Sequence, residues 1–355
     1  MNVAVYSKPF FPNMGGLEKN TLTLCLALGD LGHSVTLITE TTAETGEDDR
    51  YPFQLVRSES ARQIFRGIRE ADLLITNGGN IPLRSTLLGR LRGVSHGAIY
   101  HGFRGFETKG ASAVRRATNA LRRRLAQRAS FNVFTGTHSK TETDVPEATA
   151  HVLLNPVDKW TQKFYTETSG RNEDGSPFLF AGRLIEGKGI FVLADALKRL
   201  DGSLSLHLIV AGEGRHESDF REQVNSLDSI KVTFAGRLTA RDLVPLYERA
   251  RALIVPSTTH KEGNPLVIAE ALFAGTPVIA SDQPPMIESV GDAGIIVEQG
   301  DVAELADAIR RLGTDEACYR RVTGQAEERA ELFSYERYRG KLATVLHSSL
   351  SVNGP

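Results

Sequence analysis

The chain has 355 residues, 41% of them hydrophobic and 24% charged, with 42 Lys+Arg against 43 Asp+Glu and a formal net charge of −1. That length accommodates two domains at roughly 100–200 residues each, and near-neutral charge argues against a dedicated nucleic-acid binder. Two cysteines, Cys25 and Cys318, cannot staple a secreted scaffold and have no metal-ligand spacing. No apolar run approaches the roughly 18 residues of a membrane span, and the N-terminus lacks the regions of a signal peptide. The expectation is a cytoplasmic protein.

The total conceals an asymmetry. Residues 1–158 hold 19 Lys+Arg and 15 Asp+Glu, leaving 23 and 28 for residues 159–355. From Arg84 to Lys140 twelve basic residues meet one acidic residue, Glu107. Strand-like runs in this half fall at 2–6, 34–38, 53–56, 72–76, 97–101, 131–135 and 151–154, with a helix at 18–31 stopped by Gly32. The alternation reads as βαβ units on a parallel sheet.

Between the first strand and that helix lies Phe11-Pro12-Asn13-Met14-Gly15-Gly16-Leu17-Glu18. Gly15 and Gly16 let backbone approach a ligand at a helix start, although a plain tight turn accounts for them equally. The loop is not the Gly-x-Gly-x-x-Gly fingerprint, so no nicotinamide cofactor is expected. Asn77-Gly78-Gly79-Asn80 and Tyr100-His101-Gly102-Phe103 each end a strand, where ligands gather on such sheets; the former is a candidate lining of an acceptor pocket. The stretch Lys109–Arg128 carries Arg115, Arg116, Arg122, Arg123 and Arg124 beside a helical stripe of Val114, Ala117, Leu121 and Leu125. Such a helix can lie on an anionic bilayer, bind an anionic acceptor, or pack its stripe into the core with solvated arginines.

Polarity rises between Asp158 and Pro177, which marks a linker. Strands follow at 178–181, 204–211, 230–234, 252–256, 277–280 and 294–297, with helices at 188–200, 216–227, 239–250, 265–274 and 301–312. A charge-rich helical stretch occupies about 315–350. Two doubly wound domains, 1–160 and 175–330, are expected to face each other across a cleft. Residues 331–355 would form a terminal helix.

The most informative segment is Lys261 to Gly275. Asn264 suits an N-cap, Pro265 the first helical position and Gly275 the stop. The helix start then offers the N–H groups of Leu266 and Val267 to a diphosphate. Glu262 stands before this helix and Glu270 on its second turn; taken alone, the pair reads as solvated surface charge. Their context is richer. Leu253-Ile254-Val255-Pro256-Ser257 precedes them, and upstream stand Phe180-Ala181-Gly182-Arg183-Leu184, Glu186-Gly187-Lys188-Gly189 and Val210-Ala211-Gly212-Glu213-Gly214.

Together these motifs resemble the retaining glycosyltransferases of the large family four, strongly over 178–312 and more weakly in the first half. The resemblance implies the GT-B fold, two Rossmann-like α/β domains, with the terminal helix of 331–355 crossing back to the first. It implies a metal-independent retaining glycosyltransferase with no cofactor. The donor would be a nucleotide-diphosphate sugar, a UDP-sugar favoured and GDP-mannose possible, and the acceptor a saccharide or lipid-linked molecule in cell-envelope or exopolysaccharide synthesis. Arg183 and Lys188 would bind the donor diphosphate, Glu270 the ribose and Glu262 the transferred sugar. Gly212 and the Gly236-Arg237-Leu238 segment would meet the nucleotide base, and Gly15 and Gly16 would abut the phosphates. His101 would touch the sugar; the Asp that often follows it in the family is Gly102 here. Gly263-Asn264-Pro265 departs from the commoner Gly-Phe-Gly, which leaves the donor sugar open. Peripheral membrane association is common in the family. The alternatives are a nucleotide-sugar epimerase or hydrolase on the same fold, and a non-catalytic nucleotide-sugar-binding paralogue.

Overall fold

The computed structural model describes residues 1–12, 15–42, 48–102, 112–165, 175–259 and 262–351. Asn13, Met14, Phe103, Lys109, Lys261 and positions 166–174 of the polar linker lie outside the described residues. The chain divides into two units: Met1–Asp158 with Tyr335–Pro355, and Lys159–Ser334.

The first unit carries strands β1 (Asn2–Tyr6), β2 (Ser34–Thr39), β3 (Gln54–Arg57), β4 (Leu73–Gly78), β5 (Ser95–Tyr100), β6 (Phe131–Phe134) and β7 (Ala150–Val152). Helices α1 (Gly16–Asp30), α2 (Ala61–Ile68), α3 (Leu83–Leu91), α4 (Ala113–Gln127) and α5 (Thr137–Thr141) alternate with them. The strands form one parallel sheet in the order β3-β2-β1-β4-β5-β6-β7. Its central strands are buried on both faces, which is why Val3–Tyr6 and Leu73–Ile75 are continuous apolar runs rather than alternating ones.

The second unit opens with the short helix α6 (Lys159–Gln162), inside the segment read from sequence as linker. Strands β8 (Phe178–Ala181), β9 (Leu206–Ala211), β10 (Ile230–Gly236), β11 (Ala252–Val255), β12 (Val278–Ser281) and β13 (Gly294–Val297) pair in the parallel order β10-β9-β8-β11-β12-β13. Between and after them run α7 (Ile190–Leu200), α8 (Glu217–Val224), α9 (Ala240–Arg249), α10 (Leu266–Phe273), α11 (Pro284–Val290), α12 (Val302–Thr314) and α13 (Glu316–Ala330). One core joins Phe178, Phe180, Leu208 and Val210 of the sheet to Leu193, Leu197, Ile309 and Leu312 of α7 and α12.

Several boundaries differ from the sequence reading. Helix α11 has no counterpart in it; Pro284-Pro285 starts the helix rather than breaking it, because the first turn needs no N–H donors. The stretch 315–350 is two helices, α13 and α14 (Tyr335–Ser351), parted at Ser334. Phe333 beside the break is fully buried. Helix α14 returns to the first unit, where Tyr335 Oη donates to Asp30 Oδ2 at 2.8 Å and the two helices pack. Helix α1 is therefore covered on more than one side, and Asn20 through Leu28 are all buried.

Candidate active site

In each sheet the chain order reverses at one place. In the second unit this falls between β8 and β11, and in the first between β1 and β4. Loops leaving such strands at their carboxyl ends diverge and leave room for a ligand. The loops after β8 and β11 hold Lys188 and Glu262. Lys188 Nζ donates to Glu262 Oε1 at 2.6 Å, the two side chains being only 16% and 7% exposed. Ser257 Oγ donates to the same oxygen at 2.7 Å. Gln283 fastens the arrangement: its Oε1 accepts from Glu262 N at 3.0 Å and its Nε2 donates to Ser257 O at 3.1 Å. Glu262 is thus a held, buried carboxylate and not a solvated one.

The two loops touch along their backbones. Thr258 N donates to Gly187 O at 2.9 Å. Gly189 has φ +74°, and a Cβ there would stand 1.8 Å from Pro256 O. Only glycine permits this approach, and the approach is what brings Lys188 to Glu262.

Helix α10 begins one residue later than the spacing suggests. Pro265 is the N-cap, with φ −64° and ψ 120°, and makes no side-chain capping bond. Asn264 does not cap. Its Nδ2 donates to Ser289 Oγ at 2.7 Å in a buried contact with α11, an interaction outside the reach of local pattern. Ile268 N returns to Pro265 O at 3.0 Å, so Leu266 and Val267 occupy the first positions, whose N–H groups lie outside the helical ladder. Glu270 is 3% exposed and accepts from Tyr247 Oη at 2.9 Å through Oε2. Burial and this neighbouring carboxylate push the Tyr247 hydroxyl well above its ordinary pKa, so it stays a donor. Tyr165 Oη donates to the Glu270 carbonyl at 3.0 Å. Tyr247 and Tyr165 carry no sequence signal for this work.

Arg183 is exposed just after β8. Gly212 follows β9 with φ +145°, donates its N–H to Gly236 O at 2.7 Å and leaves no space for a Cβ, which would meet Gly182 O at 1.8 Å. Leu238 is half-buried in the loop after β10. Among the described residues, Glu298, Asp301 and Glu304 could converge on a cation, but Asp301 caps α12 and Glu304 accepts Glu298 N.

In the first unit Gly15 is the N-cap of α1 in extended conformation and Gly16 its first residue, both exposed. At φ −164° Gly15 has a backbone that any residue adopts. His101 follows β5 and its Nε2 lies 2.8 Å from Asn77 Oδ1 at the end of β4. Desolvation lowers the imidazole pKa to about 4, so the ring is neutral at neutral pH. Asn77 itself is buried in a polar network, not exposed as a pocket lining.

Helix α4 leaves most of its apolar stripe outside the core. Of its four apolar members only Leu125 is buried; Val114 is 74% exposed and Leu121 36%. The buried face is made by Asn119, Leu125 and Ala126, and Arg122 also points inward, donating to Ile81 O and Asn119 Oδ1. Arg115, Arg116, Arg123 and Arg124 are exposed, and Arg123 pairs with Asp144.

Residues 176–315 match the family model of Glycosyl transferases group 1. Glycogen synthase of Mycobacterium tuberculosis is 35% identical over 155 residues, 42% of this chain and 37% of that protein. The chain thus aligns with little more than a third of that relative's length. Sucrose-phosphate synthase of Thermosynechococcus elongatus has a similar structure, with a TM-score of 0.76 at 20% identity, over 99% of this chain and 100% of that one. HepE of Anabaena, solved in complex with UDP-glucose, gives a TM-score of 0.75 at 18% identity over 98% and 100%. Residues 176–315 are thus similar to the group 1 glycosyltransferases, and the two parallel-sheet units have the GT-B fold.

Proposed function

We propose that this chain is a retaining, metal-independent glycosyltransferase that takes a sugar from a nucleotide-diphosphate donor. The observation that carries the reading is the Lys188–Glu262 pair, held at the switch point of the second sheet. Lys188, Arg183 and the N–H groups of Leu266 and Val267 would neutralise the departing diphosphate. Glu262 would hold sugar hydroxyls, and Glu270 the ribose. The bond from the anomeric carbon to the phosphate oxygen breaks, and the acceptor oxygen bonds to that carbon on the vacated face. The acceptor proton passes to a donor phosphate oxygen. His101, being neutral, serves as a hydrogen-bonding group and not as an acid. A UDP-sugar is the favoured donor, supported by the UDP-glucose complex of the structurally similar HepE, with GDP-mannose the competitor; the acceptor is a saccharide or a lipid-linked molecule.

Thermal unfolding with UDP, GDP, UDP-glucose and GDP-mannose tests the donor. A ligand at one hundred times its Kd stabilises by about 2.7 kcal/mol, so one base should raise the midpoint clearly and the other should not. No rise with any of the four removes the nucleotide-sugar reading. Release of free sugar without acceptor would instead indicate an epimerase or hydrolase.

The outward face of α4 supports an anionic membrane as the surface on which a lipid-linked acceptor is met. Exposed Val114 and Leu121 offer apolar anchors among arginines, each cation contributing about 1 kcal/mol near anionic lipid. Arg116, Arg124 and Arg128 changed together to Ala should reduce co-sedimentation with phosphatidylserine vesicles by about two orders of magnitude. Arg122→Ala should lower stability and leave binding intact. Equal recovery of wild type and triple variant rules the membrane surface out.

A further inference from the structure

We propose that Asn77 is a positioning residue that holds the His101 imidazole in one orientation with its proton on Nε2, so that Nδ1 is presented as an acceptor for a ligand hydroxyl. The proposal rests on His101 facing a ligand, as the functional reading has it. Its support is a chain of hydrogen bonds whose directions are dictated by chemistry.

The chain begins at Thr21, fully buried in α1. Its Oγ1 lies 2.8 Å from Leu17 O and 2.9 Å from Ser7 Oγ, whose own proton goes to Pro9 O, so the single Thr21 hydroxyl proton is spent on one of these two acceptors. The remaining lone pairs of Oγ1 must meet donors, and the atom of Asn77 2.9 Å away is accordingly its amide nitrogen. A second acceptor agrees. Asn77 Nδ2 also lies 3.2 Å from Asn20 Oδ1, and Asn20 commits its own amide nitrogen to Asn155 Oδ1 at 2.8 Å. With Nδ2 directed at Thr21 and Asn20, Asn77 can offer His101 only its carbonyl oxygen. The imidazole nitrogen 2.8 Å from that oxygen must therefore carry a proton.

Backbone pairing keeps both residues in register. Asn77 sits opposite Ile99 in the β4–β5 ladder, and His101 N donates to Gly78 O at 3.0 Å. Because burial keeps the ring uncharged, a proton on Nε2 leaves Nδ1 with a lone pair. Among the described residues Nδ1 has no hydrogen-bond partner. An acceptor at that place reads a hydroxyl and repels a phosphate oxygen, which suits a sugar more than a diphosphate.

Imidazole ¹⁵N spectra of the full chain test the assignment, recorded at alkaline pH where the ring is neutral in every variant. The His101 resonances are identified by their loss in His101→Gln. Wild type should show the Nε2–H tautomer. Asn77→Asp retains an acceptor in the same place, and Thr21 can turn its hydroxyl toward the carboxylate, so the tautomer should persist. Asn77→Leu, similar in size but without an acceptor, should show a mixture or the Nδ1–H form. Turnover should fall at least tenfold in Asn77→Leu and in His101→Gln, with no further loss when the two are combined. An unchanged tautomer in Asn77→Leu, or losses that multiply in the double variant, overturns the proposal. Unchanged turnover in His101→Gln with the tautomer behaving as expected overturns the ligand-facing reading of His101.

Discussion

Lys188→Ala is expected to lower turnover by about 10²–10³-fold, the scale of losing one well-placed group that stabilises developing charge. UDP affinity should drop by more than tenfold. The variant also takes the Lys188 ammonium from Glu262, a carboxylate only 7% exposed to which Ser257 still donates, and should cost about 1–3 kcal/mol of stability. Glu262→Gln separates these effects. It keeps a carbonyl oxygen for Ser257 while releasing the Lys188 charge from its carboxylate partner. Turnover should fall again, because the sugar loses its charged partner, yet UDP should bind as tightly as to wild type or more tightly. Calorimetry with UDP and initial rates in all three proteins decide the matter. Wild-type turnover and wild-type UDP affinity in Lys188→Ala would end the diphosphate assignment.

The second large effect is steric. Gly189→Ala should destabilise by about 2–5 kcal/mol, the left-handed backbone costing about 1–2 and the overpacking about 1–3. A Cβ 1.8 Å from Pro256 O meets backbone, not a movable side-chain end, so the loops after β8 and β11 must part. The Thr258–Gly187 bond and the Lys188–Glu262 pair both cross that seam. Turnover should fall further than the stability loss accounts for. Gly202→Ala is the control: its φ is +73°, but nothing lies within 4 Å of the added carbon. It should lower the unfolding midpoint by the backbone cost alone and leave turnover unchanged. Equal shifts for the two variants would show that the close approach of the loops has no energetic weight.

The strands and most helices were legible because their signal is local. Phe178–Ala181, Ala252–Val255 and Val278–Ser281 are short β-branched or aromatic runs bounded by turn residues, and each is a buried parallel strand. Local pattern failed where a distant group supplies what a cap or a surface would otherwise supply. Asn264 looked like an N-cap because its side chain suits one, but Ser289 on α11 takes it. Glu270 looked solvated because carboxylates are mostly exposed; Tyr247, 23 residues earlier, gives it a buried donor. The direction of the α4 stripe stayed open for a related reason. Helical periodicity identifies which residues share a face and says nothing about which face the sheet covers.

By itself the sequence determined the class of the molecule and the chemistry it can bring: two parallel α/β units, and the Gly-Arg, Lys and Glu motifs of the second half. These follow from strand and helix periods and from residue types, which are written along the chain. Only the tertiary structure decided which groups meet. Lys188 and Glu262 are 74 residues apart, and they come together because β8 and β11 are neighbours at the point where the sheet order reverses. Asn77 reaches Thr21 and His101 because β1, β4 and β5 are adjacent in the other sheet. Hydrogen bonds act over about 3 Å, so their partners are set by strand order and packing, and neither is a property of any single stretch of sequence.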